Sequence, residues 1–351
     1  MIKGEIAMIK MTRRTFGILS GGLLASGMMP SLASAAGRIV VGTWGGDYQN
    51  LQQIHITDAV LKGSGTQVIY DPAADTVRRS KMLAERRLPR GSMDISCLTR
   101  QGSYEMYTNG LIEELDETKI PNLSKVQSFI RAPYAVPHIY TGRVILYNPK
   151  QVSPAPTSYA DLWDPKYAGR IGVIDLQYQT TIESAAMIAG GGASNYEPGK
   201  AKLMELKKQG VKIYPTNEAL AQALKSGEIV MCIMWNARGY MWKKAGIDIE
   251  IAIPKEGISL YLSDMVVPKN ARNKEAAYQY INAMLEDQPQ AAFAEQMGYA
   301  PTNSEVTLPA ELAAAVDYSE KQRDQFLLPD LEYVAKADAD LQNWWNKEFR
   351  A

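Results

Sequence analysis

Apolar and polar residues alternate with two different periods along this chain. Short runs rich in Val and Ile predict strands at residues 38–43, 66–71 and 93–98. Stretches with apolar residues three and four positions apart predict helices at 48–61 and 76–87, the second capped by Asp75. Strands that alternate with helices indicate an α/β lobe with a mainly parallel sheet.

A second set of alternating elements follows between two long extended runs. The runs are residues 143–149 and 259–268, and each reaches a Pro, where a helix cannot continue. We therefore expect a first lobe built from residues 36–145 and 264–351, with residues 146–263 inserted as a second lobe. The expected elements between the runs are strands 170–175, 212–214 and 228–234 and helices 180–190, 196–209 and 217–226. Helices 274–285 and 288–297 and an amphipathic tail, 331–349, complete the chain. We expect the tail to pack on the first lobe.

The first thirty-five residues have the pattern of an export signal. Arg13 and Arg14 precede a short Gly-rich apolar run, and Ala33-Ser34-Ala35 follows as a small-x-small cleavage site. Paired arginines followed by x-Phe are typical of twin-arginine export, which carries folded proteins. We expect cleavage between Ala35 and Ala36 and a periplasmic location.

Charge and reactive residues favour binding over catalysis. The leader holds four basic residues and one acidic residue, so its removal takes the 38 basic and 38 acidic residues to a net charge of −3. This charge argues against nucleic acid as a partner. Cys97 and Cys232 lie in apolar strand-like runs and are expected to be buried thiols, with a disulfide left open. His55 and His138 are far apart, so neither a metal site nor a histidine-based triad is predicted.

Several segments together resemble the periplasmic solute-binding proteins of ABC importers. They include the Gly-Thr-Trp-Gly-Gly-Asp-Tyr run at 42–48, Met234-Trp235-Asn236, and the Glu256-Gly257 and Ser263-Asp264 pairs before Pro268. The most specific segment is Ser158-Tyr-Ala-Asp-Leu-Trp-Asp-Pro-Lys-Tyr-Ala-Gly169. The spermidine/putrescine-type branch is the most similar, and a member that binds 4-aminobutyrate (GABA) is a further possibility. The resemblance implies a type II two-lobe α/β fold, a hinge of two crossover strands, and lobes that close over a ligand.

The resemblance also implies a site for an amine. Trp44 and Tyr48 would line the first-lobe wall, Trp235 would line the second, and Asp264 at the hinge would accept the ligand ammonium. Aromatic faces attract cations, and a carboxylate adds a charge-assisted hydrogen bond. Weaker candidates are Tyr140, Tyr261 and Thr99. The basic cluster of Arg78, Arg79, Arg86 and Arg87 is interpreted as a solvated helix face, outside the site.

Three positions depart from the polyamine pattern. Leu176 and Gln179 stand where acidic residues are expected, and Arg238 follows Trp235 closely, where it could clamp a carboxylate. These departures suggest a ligand with an ammonium at one end and a carboxylate at the other, such as a compact ω-amino acid. A linear polyamine, a quaternary amine and a metal chelate remain alternatives.

The expected partners are a small amine-bearing or zwitterionic ligand and an inner-membrane ABC permease, with no cofactor and a monomeric state. Two alternative functions remain. One is an enzyme on the same fold, with Asp175 or Asp264 as a base, and the other is a sensory protein without a transport role.

Overall fold

The computed structural model describes residues 37–351, so the predicted leader and its cleavage site lie outside the described residues. No helix in this range has both the length and the apolar character needed to cross a membrane. The strands are β1 Arg38–Thr43, β2 Gln67–Pro72, β3 Ile95–Thr99, β4 Val136–Tyr147, β5 Ile171–Ile174, β6 Lys212–Tyr214, β7 Met231–Trp235, β8 Glu250–Ala252, β9 Ile258–Val266, β10 Ala300–Pro301 and β11 Phe326–Leu327. The α-helices are α1 Gly46–Gln52, α2 Asp75–Glu85, α3 Arg100–Thr108, α4 Tyr178–Met187, α5 Glu197–Lys208, α6 Asn217–Ser226, α7 Asn236–Lys244, α8 Lys274–Met284, α9 Asp287–Met297, α10 Ala310–Val316, α11 Glu320–Arg323 and α12 Leu331–Trp344.

Two long antiparallel strands, β4 and β9, connect the two halves of the molecule. The strand order is β2-β1-β3-β9-β4-β7-β5-β6, so these strands lie between two parallel groups. The first part of β4 pairs with β9 as far as Gly142, and its second part pairs with β7 from Arg143 onward. The chain is thus a two-lobe α/β fold with crossover strands at the hinge, as the sequence predicts.

Gly142, where β4 passes from its pairing with β9 to its pairing with β7, has little space around it. A Cβ placed there would lie 2.2 Å from Cγ2 of Ile258 and 2.9 Å from the hydroxyl of Tyr318. That hydroxyl also accepts a hydrogen bond from the Gly142 backbone N–H at 2.5 Å. Only glycine lets the backbone pass this point without displacing its neighbours.

Each lobe has its own apolar core. The first-lobe core contains Ile39, Val41 and Ile95 of the parallel strands together with the buried faces of α8 and α9. Apolar residues of β9, such as Ile258 and Leu262, also pack there, although the predicted boundary places them in the second lobe. The second-lobe core lies around β5 and β7. The exact lobe boundaries stay a prediction.

Three details of the sequence-based expectation are corrected. Asp75 is the first residue of α2 rather than its cap, since Ala74 takes that position. Arg78 is buried, with 1% of its surface exposed, so the basic cluster is not entirely a solvated face. The tail packs mainly on the second lobe, because Leu341, Trp345 and Phe349 share a core with Tyr159 and Leu203. Amphipathic periodicity identifies the helix but does not specify which lobe receives its apolar face.

Both cysteines are buried free thiols, as expected. Cys97 belongs to the first-lobe core, whereas Cys232 lies in the second. Burial raises the pKa of both thiols, so neither is poised for reaction.

Candidate functional site

A cavity of about 340 Å³ lies between the lobes, where the crossover strands meet the carboxyl ends of β1, β3 and β7. Ligand sites of open α/β sheets are found at this end of the strands. Five of the residues predicted from the sequence line the cavity: Trp44, Thr99, Gln179, Trp235 and Tyr261. A larger hollow of about 640 Å³ between α7 and α10 contains none of the predicted site residues.

The first-lobe wall is formed where β1 and β3 end. Trp44 follows β1, and its indole Nε1 donates to Oγ of Ser263 on β9 at 2.9 Å. Gly45 and Gly46 come next with positive φ values of 78° and 54°, which turn the chain sharply into α1. Thr99 ends β3, and its hydroxyl caps α3 by accepting from the backbone N–H of Gly102 at 3.1 Å.

The second-lobe wall combines aromatic and amide side chains. Trp235 ends β7 and lies against Tyr261 of β9, with ring centroids 5.2 Å apart. Gln179, in the first turn of α4, donates its amide to Asp338 of α12. The tail completes this side of the cavity through Pro329, Leu331 and Val334. Leu176 stands at the cavity with 78% of its surface exposed, where it presents an apolar rather than an acidic side chain.

A buried ion pair forms part of the cavity surface. Arg143 of β4 donates through Nη1 to Oε2 of Glu183 on α4 at 2.8 Å. The other carboxylate oxygen accepts from the hydroxyl of Ser259 at 3.0 Å. Only 2% of Arg143 is exposed, and its buried Nε has no hydrogen-bond partner among the described residues. A buried donor without a partner is destabilising, so an acceptor that reached this Nε would remove that cost.

A second buried ion pair lies at the hinge. Arg100, the first residue of α3, donates through Nε and Nη2 to the two carboxylate oxygens of Asp264, at 2.7 and 2.9 Å. Burial by itself would lower the pKa of Arg100, but the charge and hydrogen bonds of Asp264 raise it above its usual value. Arg100 lines the cavity, whereas Asp264 is fully buried behind it. In this structure Asp264 pairs with Arg100 and does not line the cavity, so its expected role as the ammonium acceptor stays a prediction.

Three other predicted residues lie away from the cavity. Tyr48 is buried in the first-lobe core, where its hydroxyl is 2.6 Å from Nδ1 of His138. Tyr140 is also in that core and donates to Asp317 at 3.2 Å. Arg238 is half-buried on α7 and does not line the cavity. The carboxylate clamp expected at Arg238 therefore stays a prediction that the position of this side chain does not favour.

Sequence reasoning missed the charged residues that do line the cavity. Arg143 and Glu183 were detectable in principle, since among Arg, Lys, Asp and Glu each is the only such residue in its element. Such residues are rarely buried unless they are paired. Their pairing across a separation of forty residues, however, is visible only in three dimensions.

The two carboxylates that were considered as catalytic bases already interact with other side chains of the protein. Asp175 accepts from the indole Nε1 of Trp345 at 2.8 Å and pairs with Arg350 at 3.0 Å. Asp264 is held by Arg100 as described. The arrangement that remains is a small cavity with aromatic walls and paired charges between two lobes, which is typical of a two-lobe solute-binding protein.

Comparison with known proteins gives the family. Residues 58–320 match the model of the bacterial extracellular solute-binding proteins, and the chain belongs to that family. The spermidine/putrescine-binding periplasmic protein of Escherichia coli is 26% identical over 334 residues, covering 92% of this chain and 91% of that protein. The putrescine/cadaverine-binding protein of Pseudomonas aeruginosa is 23% identical over 64% of this chain and 70% of its own length.

Solved structures share the fold. An ABC transporter protein from Clostridium perfringens superposes with a TM-score of 0.76 at 26% identity, over 88% of this chain and 99% of that one. A GABA receptor gives a TM-score of 0.79 at 24% identity, over 90% and 98% of the two chains. At this identity the second likeness shows the two-lobe fold alone.

Proposed function

We propose that this protein is the periplasmic substrate-binding component of an ABC importer, and that its ligand is a compact ω-amino acid such as 4-aminobutyrate. The observation that carries the choice of ligand is the charge arrangement of the cleft. Its three charged lining residues, Arg100, Arg143 and Glu183, and Asp264 behind Arg100 form two pairs and leave no carboxylate unpaired.

Charge neutrality favours a zwitterion over a diamine. A ligand with two ammonium groups needs two carboxylates to offset its charge in a site shielded from water. A ligand with one ammonium and one carboxylate adds no net charge to a cleft whose pairs are already neutral. Leu176 and Gln179 contribute no negative charge either.

Arg143 is the proposed partner of the ligand carboxylate. Arg143 lines the cavity and its buried Nε lacks a hydrogen-bond partner among the described residues, so a ligand carboxylate that reaches this guanidinium gains a charge-assisted hydrogen bond. The ligand ammonium would then lie toward Glu183, with the side-chain oxygens of Gln179 and Thr99 as further acceptors. Micromolar affinity requires about −8 kcal/mol, which one charged contact at each end and an enclosing cavity can supply.

The alternative ligand is putrescine or spermidine, and the names of the relatives favour it. A diamine would require Asp264 or Glu183 to exchange its arginine for a ligand ammonium. An enzymatic function is a weaker alternative, since Asp175 accepts a hydrogen bond from Trp345 and Asp264 accepts one from Arg100.

The test is a titration of the chain from Ala36 onward, which forms one compact unit, with ω-amino acids, putrescine, spermidine and betaines. A ligand that binds only the folded state at 100 times its Kd stabilises the protein by about 2.7 kcal/mol, so thermal unfolding can screen the panel. We expect 4-aminobutyrate or a near homologue to bind, to be recovered unchanged, and to bind more tightly than either polyamine. Tighter binding of a diamine would establish the alternative.

A paired substitution tests the role of Arg143 without leaving a buried charge alone. Replacing Arg143→Gln together with Glu183→Gln removes both charges, and we expect at least a thirtyfold loss of ω-amino acid affinity in a protein that still folds. Arg238→Ala is the matched control and should leave the affinity unchanged. If the control loses binding and the double variant keeps it, the carboxylate is held on α7 instead.

A further inference from the structure

Arg78 is a buried cation for which the proposed function has no direct use. Its guanidinium donates to backbone carbonyls of two strands, with Nη1 to Thr43 at the end of β1 at 2.6 Å and Nε to Cys97 in β3 at 2.8 Å. It also donates to the carbonyl of Ala73. Among the described residues it forms no ion pair with a carboxylate. Asp75 in the same helix forms an ion pair with Arg79 and accepts a hydrogen bond from the backbone N–H of Thr99.

This guanidinium covers one face of Trp44. The Arg78 Cζ lies 4.4 Å from the centre of the Trp44 ring. Trp44 lines the cavity and Arg78 does not, so the guanidinium is on the side of the ring turned away from the cleft. Burial is the main reason that the pKa of Arg78 is lowered, but three backbone acceptors stabilise the charged form.

The opposite wall repeats the arrangement. Arg143 and Trp235 are directly paired neighbours on β4 and β7, and the Arg143 Cζ lies 4.8 Å from the centre of the indole ring. Each cleft tryptophan is therefore already in contact with a protein cation. The two arginines differ in one respect: Arg143 forms an ion pair with Glu183, whereas Arg78 hydrogen-bonds only to backbone carbonyls, and the nearby charge of Asp75 is paired with Arg79.

We infer that Arg78 is a specificity-determining residue that acts through Trp44 and biases the cleft against ligands with two positive charges. A ring whose rear face holds a cation has less negative potential left for a second cation on its front face. A ligand ammonium on that face would sit roughly 8–10 Å from the guanidinium, since cation–π contacts form within about 6 Å of the ring centre. At an effective dielectric constant of about 20, repulsion over that distance weakens binding by roughly ten- to thirtyfold for each added charge.

This inference rests on the proposed function and explains how a cleft with aromatic walls can prefer an amino acid to a diamine. A zwitterion is nearly unaffected by Arg78, because attraction of its carboxylate offsets repulsion of its ammonium. A diamine has no such compensation. The measurable quantity is consequently the ratio of the Kd values for putrescine and 4-aminobutyrate rather than either affinity alone.

Arg78→Gln is the decisive variant, because it removes the charge and keeps an amide that can donate to the strand carbonyls. We expect the ratio of the putrescine Kd to the 4-aminobutyrate Kd to fall about ten- to thirtyfold. Arg78→Lys retains the charge and should keep the wild-type ratio. Arg79→Gln removes a neighbouring charge that is already paired with Asp75 and Glu105, and it should also keep the ratio.

A wild-type measurement covers the case in which Arg78→Gln does not fold. Butyrate and butylamine carry the two charges separately, and we expect butyrate to bind more tightly. Equal or tighter binding of butylamine overturns the role of Arg78, as does an unchanged ratio in folded Arg78→Gln. These outcomes leave the proposed function intact if 4-aminobutyrate binds. Absence of binding by 4-aminobutyrate and its homologues refutes the proposed function, and this inference with it.

Discussion

Replacing Asp264→Asn separates a structural carboxylate from one that receives the ligand. Asp264 is fully buried and holds Arg100 through two hydrogen bonds of 2.7 and 2.9 Å. Removing one partner of a buried ion pair usually costs about 3–5 kcal/mol, because the other charge is left without compensation. Asn keeps one acceptor, so we expect a loss near the lower limit, about 3 kcal/mol. With about 2 cal/mol/K of unfolding entropy per residue, this corresponds to a fall in Tm of about 5 °C for a chain of this length.

The assay combines thermal unfolding without ligand and calorimetric titration with 4-aminobutyrate. We expect lower stability and an affinity within about threefold of wild type, since the carboxylate does not line the cavity. The matched control is Asp71→Asn, which breaks a half-exposed pair with Lys81 and should cost less than about 1 kcal/mol. An Asp264→Asn protein with unchanged Tm and an affinity reduced more than tenfold would refute this reasoning and favour Asp264 as the ammonium acceptor.

Two further predictions address stability against pH and ligand charge. Burial lowers the pKa of His138 to about 3, so the folded state holds this ring neutral. Its contribution to stability is therefore complete above pH 6.5 and is lost as the pH falls toward 3, by up to about 1.4 kcal/mol per pH unit. His138→Asn, which keeps an acceptor for Tyr48, should show a shallower loss in denaturant titrations across this range; equal slopes would contradict the assignment. Leu176→Asp adds a negative charge at the cavity, so putrescine affinity should rise about three- to tenfold relative to 4-aminobutyrate. Its stability should change by less than about 0.5 kcal/mol because the side chain is exposed, and an unchanged affinity ratio would show that this position does not sense the ligand.

The two-lobe architecture could be read from the sequence because its signals are local. Strand β1, strand β6 and helix α6 begin and end at the predicted residues, and the two extended runs become the crossover strands β4 and β9. Apolar periodicity indicates which residues of an element can be buried, and Gly and Pro indicate where elements end. Strand β8, Glu250–Ala252, was not predicted.

The cleft depended on contacts between distant parts of the chain. The resemblance to solute-binding proteins pointed to Trp44, Thr99, Trp235, Tyr261 and Gln179, and these five residues line the cavity. The sequence by itself could not decide whether Asp264 faces a ligand or Arg100, 164 residues away. It also could not place Arg78 behind Trp44, or the C-terminal helix on the second lobe. The physical reason is that local composition determines whether a residue is buried, whereas the charge that meets it there is set by how the whole chain packs.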